Sequence, residues 1–368
     1  MKFSCTKENL NKSLTAVGHI ATKQTNLPIL QNVLLRAKAG QITLFTTNLE
    51  IGIRASSRGK IDEEGDFTLP AQLFSNYINL LPSERVDCVL QGNELKITSD
   101  QQQTSIKGEV ASEFPLFPEV DKANTYTIER LAFINGLRQV LVAAALDDTR
   151  PEIAGVFFHI SSTNLVLAAT DSYRLAEKRL TLLTATDKEI KVIVPAYSAQ
   201  ELLRILELND SSQITLAITE HQLACLANEM EFVSRLVEGN FPEYQQIITK
   251  QGNTTVLVPV KQLVKAVKGA ALFSRNGIND ITIMVRPSSN QIEIKATNIQ
   301  LGDNSALVSA TVTGSEVAVT FNYRYLLDGL QQISSPQVSF ILTDGTSPVG
   351  MFPDDQQKYS YIIMPIKQ

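Results

Sequence analysis

Leu167-Ala168-Ala169-Thr170-Asp171-Ser172-Tyr173-Arg174-Leu175-Ala176 is the stretch whose reading decides the fold. An apolar, β-prone run ends in Thr, meets a polar pair and resumes as a second run, which spells strand, tight turn, strand. The pattern occurs three times. Leu44-Phe45-Thr46-Thr47-Asn48-Leu49-Glu50-Ile51 comes before it and Ile294-Lys295-Ala296-Thr297-Asn298-Ile299-Gln300-Leu301 after it. The polar turn residues stand at Asn48, Asp171 and Asn298, which are 123 and 127 residues apart.

Two further landmarks keep the same register. Leu69-Pro70-Ala71, Val194-Pro195-Ala196 and Phe321-Asn322-Tyr323 each precede apolar residues spaced by three and four, the mark of an amphipathic helix. Phe114-Pro115, Phe241-Pro242 and Met364-Pro365 each close a copy. A repeat this long is a domain, not a solenoid turn. Each copy also opens on a helix and carries hairpin patterns between its helices, for example Val86–Leu90 with Glu94–Ile97 around Gln91-Gly92-Asn93. The fold class is therefore α+β, three tandem copies of a helix-plus-antiparallel-sheet domain. Polar stretches near Lys122 and Lys250 set the domains at 1–122, 123–249 and 250–368.

Composition excludes several classes. With 43% apolar and 19% charged residues the chain is globular, not disordered. No run approaches about 18 consecutive apolar residues, and Met1–Glu8 has no apolar core of a signal peptide, so a cytoplasmic protein without a membrane span is expected. Cys5, Cys88 and Cys225 are few, odd in number and scattered, which reads as reduced thiols and not as a disulfide set or a metal site.

Three similar domains in a row invite closure. A domain of this size has a radius of gyration of roughly 14 Å, so six of them in a hexagon leave a hole of roughly 35 Å, wide enough for a nucleic-acid duplex. Two chains about a two-fold axis supply six. The formal net charge of the chain is −5. The six expected helices (Lys7–Val17, Ala71–Leu81, Ile128–Leu146, Tyr197–Leu208, Val260–Arg275 and Tyr323–Ile333) nevertheless hold ten basic and five acidic residues. Either a basic helical layer faces a polyanion without sequence preference, or these side chains simply solvate the outer faces of their helices.

At this point the residues resemble a known family. The triplicated unit, the opening Met1-Lys2-Phe3, Leu27-Pro28-Ile29-Leu30, the Thr170-Asp171-Ser172-Tyr173-Arg174-Leu175 block, Gly239-Asn240-Phe241-Pro242-Glu243-Tyr244 and Met364-Pro365 are similar to the beta subunit, or sliding clamp, of the bacterial replicative DNA polymerase. The resemblance covers the whole chain. It implies a head-to-tail homodimeric ring, each chain curved into half of it with helices inside and sheets outside, encircling duplex DNA and tethering the polymerase. It also implies no catalytic activity, no cofactor and no metal.

The resemblance further implies a groove for short peptide motifs of the replicative polymerase subunit, the clamp loader, and repair and translesion polymerases. Ile153, Leu175, Pro242, Ile247, Ile362 and Met364 would form its apolar pocket, and Thr170, Ser172, Tyr173 and Arg174 its polar rim. Asn322, Tyr325, Thr346, Pro365 and Ile366 would extend it. Residues implied to face DNA are Lys12, Lys23, Gln24, Arg138, Arg150, Arg204 and Lys265. Leu272, Phe273 and Thr104 are implied at the dimer contact. Gln24, Pro151, Glu152, Thr104 and Thr346 depart from residue types common in the family.

Other functions find little support. The histidines His19, His159 and His221 have no motif-like nucleophile beside them, no glycine-rich loop cradles a phosphate, and Asp147-Asp148 and Asp354-Asp355 read as solvated loop acids. A protein scaffold that never meets DNA is the remaining alternative.

Overall fold

The computed structural model describes residues 1–21, 27–119, 121, 124–145, 147, 149–248, 251–354 and 358–367. Lys23 and Gln24, and the expected domain boundaries at 122/123 and 249/250, lie outside the described residues. Six α-helices occur among those described: α1 (Lys7–Val17), α2 (Ala71–Leu80), α3 (Arg130–Leu141), α4 (Ala196–Glu207), α5 (Val260–Ala271) and α6 (Tyr323–Gln331). None is long and apolar enough to cross a membrane.

Packing groups the chain into two compact units. One contains Met1–Leu131 and Gln200–Leu236, the other Ala132–Ala199 and Val237–Gln368. The middle repeat is thus shared between them, and strand pairing is the reason. In the first unit an eight-stranded antiparallel sheet runs in the order Thr125–Glu129, Gln213–Ile218, Gln222–Ala227, Met230–Arg235, Ile51–Arg58, Gln41–Thr47, Asn32–Lys38, Gly65–Pro70. Middle-repeat strand Met230–Arg235 pairs there with first-repeat strand Ile51–Arg58. In the second unit a seven-stranded sheet runs Gly155–Thr170, Arg174–Pro195, Tyr359–Ile363, Val349–Pro353, Gln337–Leu342, Thr254–Pro259, Thr311–Gly314. Middle and last repeats meet in it through Arg174↔Ile363 and the four pairs that follow. Each unit has a smaller sheet as well. The first has Lys60–Glu63, Lys2–Thr6, Arg85–Gln91, Glu94–Ser99 and Gln102–Lys107 in that order. The second has Gly302–Ser309, Gln291–Asn298, Asp280–Arg286 and Val317–Asn322.

Local chemistry explains where the helices begin. Thr6 accepts from the Asn9 N–H to cap α1, and Asn322 accepts from the Arg324 N–H to cap α6. Pro70, Pro195 and Pro259 stand immediately before α2, α4 and α5, where a missing N–H costs nothing. α5 buries Val260, Leu263, Val267 and Ala270 and leaves Lys261, Lys265 and Lys268 exposed on the opposite face. The cations at the start of the first helix in two copies do a further job. The Lys7 ammonium donates to the Leu81 carbonyl at the end of α2, at 2.6 Å, and Arg130 donates to the Leu206 carbonyl near the end of α4, at 2.9 Å. Each places a cation on a carbonyl at the negative end of a helix dipole.

Two expected helices need correction at their ends. The second opening helix spans Arg130–Leu141 and not 128–146. Ile128 belongs to a strand paired with Gln213–Ala217, and beyond Leu141 the chain tightens into i→i+3 bonds at Ala143 and Ala144. The third opening helix stops at Ala271, where Leu272, Phe273 and Ser274 likewise bond three residues back, so Arg275 lies outside it. In the middle repeat the chain runs as two long strands where the first repeat has five short ones. Ser162, at φ +51°, occupies the bend that Ala39 makes at φ +50°.

All three cysteines are buried thiols. Burial is the main cause that pushes Cys5 up to about 12, and it raises Cys88 and Cys225 too, so none forms a thiolate near neutrality.

Two glycines test the packing in opposite directions. A Cβ on Gly329 of α6 would lie 2.5 Å from the ring of Tyr361, which is fully buried and hydrogen-bonded to the Tyr325 carbonyl. Gly329→Ala should cost about 1–3 kcal/mol. A Cβ on Gly269 of α5 meets nothing within 4 Å, so Gly269→Ala should add about 0.5–1 kcal/mol. Thermal unfolding of the pair reads both signs.

Candidate partner-binding groove

The site is built outward from the turn at Thr170–Arg174. Asp171 Oδ1 accepts from the N–H groups of Tyr173 and Arg174, both at 2.9 Å. Thr170 donates its hydroxyl to the Arg174 carbonyl at 2.7 Å and accepts from the Ser172 N–H. This chemistry lets Ser172 hold φ +75°. With the backbone fixed, the Arg174 side chain reaches two carboxylates, Asp171 at 2.9 Å and Asp328 of α6 at 2.5 Å, and lies 4.5 Å over the Tyr325 ring. Burial opposes the charge of Arg174, but Tyr361, Asp328 and Asp171 outweigh it and hold the guanidinium firmly protonated.

Beside this turn is a cavity of about 250 Å³. Ile153, Leu175, Pro242, Ile247, Ile362 and Met364 supply its apolar wall, and Thr170, Ser172 and Arg174 its polar edge. All nine were expected from the sequence. Beneath it, Ala168, Leu175, Ile193, Phe241, Tyr244 and Ile362 form one buried cluster, with Phe157 stacked on Phe241 at 4.9 Å. The Tyr244 hydroxyl donates to Glu177 at 2.8 Å, and burial together with that carboxylate pushes its phenol upward.

Six expected groove residues lie off the cavity wall. Tyr173 is exposed and stacks on Tyr325 at 6.4 Å, and Asn322 is committed to capping α6. The Thr346 N–H and hydroxyl both donate to Asp344, so its side chain serves its own turn. Pro365 and Ile366 continue the terminal segment. It is held by Met364 N–H to the Tyr173 carbonyl and Ile366 N–H to the Thr320 carbonyl, both at 2.8 Å. Three cavity residues were missed in this role: Arg150, Glu243 and Tyr244. Glu243 and Tyr244 belong to the Asn-Phe-Pro block that signals the site. Arg150, also expected to face DNA, donates to Ser172 at 3.0 Å and Glu152 at 3.1 Å.

The remaining candidates have the following local surroundings. Lys12 pairs with Asp210 at 3.5 Å, Arg138 donates to Asn135 on its own helix, and Lys265 is exposed on α5. Arg204 is tied to buried Glu201 at 3.0 Å and to the Thr15 and Ala16 carbonyls at the end of α1, at 3.0 and 2.7 Å. Leu272 is 73% exposed, Phe273 is half-buried, and Thr104 lies on the outer strand of the five-stranded sheet. Exposed Ile299, Leu301 and Leu307 lie at or beside the outer strand Gly302–Ser309 and were not anticipated.

A threefold-copied helix-and-sheet chain with this groove is the architecture of a polymerase clamp subunit. Family models for the N-terminal, central and C-terminal domains of the DNA polymerase III beta subunit match residues 1–118, 127–243 and 245–367. The chain belongs to the DNA polymerase III beta subunit family. The beta sliding clamp of Synechococcus elongatus is 31% identical over 375 residues, covering 100% of this chain and 99% of the relative. The crystal structure of the Bacillus subtilis sliding clamp superposes with a TM-score of 0.95 at 26% identity, covering 100% of this chain and 99% of the other. A Pseudomonas aeruginosa clamp bound to griselimycin also gives 0.95 at 26% identity, with both chains fully covered.

Two outcomes test the local chemistry. Asp171→Ala should cost about 1–3 kcal/mol in chemical denaturation, because it removes the acceptor of two turn N–H groups and one partner of a partly buried guanidinium, while Asp171→Asn, which keeps an acceptor for the turn, should cost less. Asp344 accepts from the N–H groups and hydroxyls of Thr346 and Ser347, which lowers its pKa to about 2. That is below the ordinary carboxylate value, so the turn gains stability above about pH 4 that is lost as pH falls through about 2. A carboxyl titration by NMR should give the low midpoint, and Ser347→Ala should raise it.

Proposed function

We infer that this chain is a DNA sliding clamp, a processivity factor and not an enzyme. Two copies join head to tail into a ring of six similar domains, bounded along each chain near residues 122 and 249. The ring encircles duplex DNA, helices inward and sheets outward, and tethers the replicative polymerase. The observation that carries this reading is the match of all three repeats, in one register, to the three domains of one family. This reading fits a cytoplasmic protein.

The strand edges support the dimer. Gln102–Lys107 and Gly302–Ser309 are outer strands of their sheets, and joining them between copies removes two open edges. Thr104 lies on the first, and Leu272 and Phe273 follow α5 close to the second, where Phe273 comes within 4.0 Å of the Cβ position of Gly302.

Lys12, Arg138 and Lys265, with Lys261 and Lys268 beside the last, give the DNA-facing layer its charge, and Lys23, Gln24 and Arg150 add to it. Arg204 supports that layer by closing α1. Contacts of this kind bind phosphates without reading sequence, so binding should weaken steeply with salt.

The cavity beside Arg174 takes a Leu or Phe anchor from a short peptide of the polymerase subunit, the clamp loader, or a repair or translesion polymerase. Burying one such side chain contributes roughly 1.5–3 kcal/mol. Tyr173, Tyr325, Asn322, Thr346, Pro365 and Ile366 extend the contact.

Light scattering at micromolar concentration should give twice the chain mass of 40.5 kDa, and a strict monomer at every concentration contradicts the ring. Deleting Met364–Gln368 should abolish binding of a Gln-and-Leu-containing polymerase peptide, read by fluorescence anisotropy, while the mass stays doubled. Unchanged affinity would remove the groove assignment.

A further inference from the structure

A second cavity, of about 710 Å³, lies wholly within the first unit, over the face of the eight-stranded sheet that the segment Ala111–Glu119 crosses. Its floor is aromatic. Phe45 meets Phe114 and Phe117 edge-on, with ring centroids 5.4 and 4.8 Å apart. Arg54 lies 4.5 Å over Phe117 and pairs with buried Glu231, so one wall already shows an aromatic face accepting a guanidinium. The other arginine of the wall, Arg36, pairs with Asp66 at 3.2 Å. Both cations are thereby neutralised. Glu119 and Glu229 remain on the rim as exposed carboxylates that form no ion pair among the described residues.

Comparison of the repeats shows that this cavity is not a worn copy of the groove. The positions corresponding to Leu34, Phe114 and Phe117 in the next copy are Phe157, Phe241 and Tyr244, which stack together and fill that place. Glu177, bonded to Tyr244, stands where Arg54 stands here. Conversely, the counterpart of groove residue Leu175 is Gly52, where a Cβ would sit 3.4–3.5 Å from Phe117, Phe45 and Pro118. The same frame is open at one place in one unit and at another place in the other. The two openings also differ in charge and size, so they select different ligands.

We propose that the cavity of the first unit is a second docking site, which takes a basic peptide segment of a partner protein. An aromatic or long aliphatic side chain enters over Phe45 and Phe114, and flanking Lys or Arg residues pair with Glu119 and Glu229. The site stands independently of the clamp reading.

The test is fluorescence anisotropy on the full chain, with a fluorescein-labelled peptide carrying one Phe flanked by Lys and Arg. The double variant Glu119→Lys/Glu229→Lys should weaken binding by roughly tenfold or more. Ala111→Trp, which puts an indole on the cavity wall without changing charge, should do likewise. Glu220→Lys/Glu316→Lys, an equal charge change on exposed residues away from the cavity, should leave affinity within about twofold. Failure of the probe to bind overturns the proposal. So does equal loss in both charge-reversed pairs, equal binding of a probe with Ser in place of Phe, or preference for a probe with Glu in place of its Lys and Arg. A polymerase peptide directed at the groove of the second unit should bind all these variants alike, so the two assignments fail separately.

Discussion

At the tip of a central hairpin in each repeat, one side-chain oxygen receives two backbone N–H groups. Asn48 Oδ1 takes those of Glu50 and Ile51, Asp171 Oδ1 those of Tyr173 and Arg174, and Asn298 Oδ1 those of Gln300 and Leu301. The turn does without a dedicated glycine at its tip in the first two copies because the side chain supplies the bonds that hold Leu49 and Ser172 at φ +75°. Hairpin register follows from the turn, and register decides which residues face the core. In the middle copy alone the acceptor is an aspartate, whose second oxygen is free to take the Arg174 guanidinium. The structural turn and the polar edge of the groove are therefore one device.

Repetition of a frame does not impose repetition of function. The cation at the start of a copy's first helix caps a neighbouring helix as Lys7 and as Arg130, but the third copy has Val260 there. The aromatic filling of the sheet faces moved in the same way. Phe157, Phe241 and Tyr244 close one face and leave the groove open, whereas Phe117 and Phe45 crowd Gly52 and leave the larger cavity open. Because interiors are close-packed, a change of a few side chains is enough to relocate a hole.

Much of this was legible in the sequence because it is local. Asn48, Asp171 and Asn298 announce themselves by turn chemistry, the prolines before α2, α4 and α5 mark their starts, and the family resemblance points to Ile153, Leu175, Pro242, Ile362 and Met364. What was not legible depends on partners distant in sequence. Ile128 has helix-compatible spacing but pairs with Ile214 as a strand. Arg150 and Arg204 are arginines of no distinctive local pattern; their roles come from Ser172, Glu152 and the end of α1. The sharing of the middle repeat between two packed units follows from pairing at Met230–Arg235 and Tyr359–Ile363, which no periodicity reveals.

The central claim is topological: the protein holds DNA by surrounding it and not by gripping it. The direct test is retention on a nicked circular plasmid after assembly with a clamp loader and gel filtration, followed by cutting the circle once. The account predicts that the protein elutes with the circle and is lost when the circle is cut. Equal retention on cut and uncut DNA, or none on the circle, would contradict it.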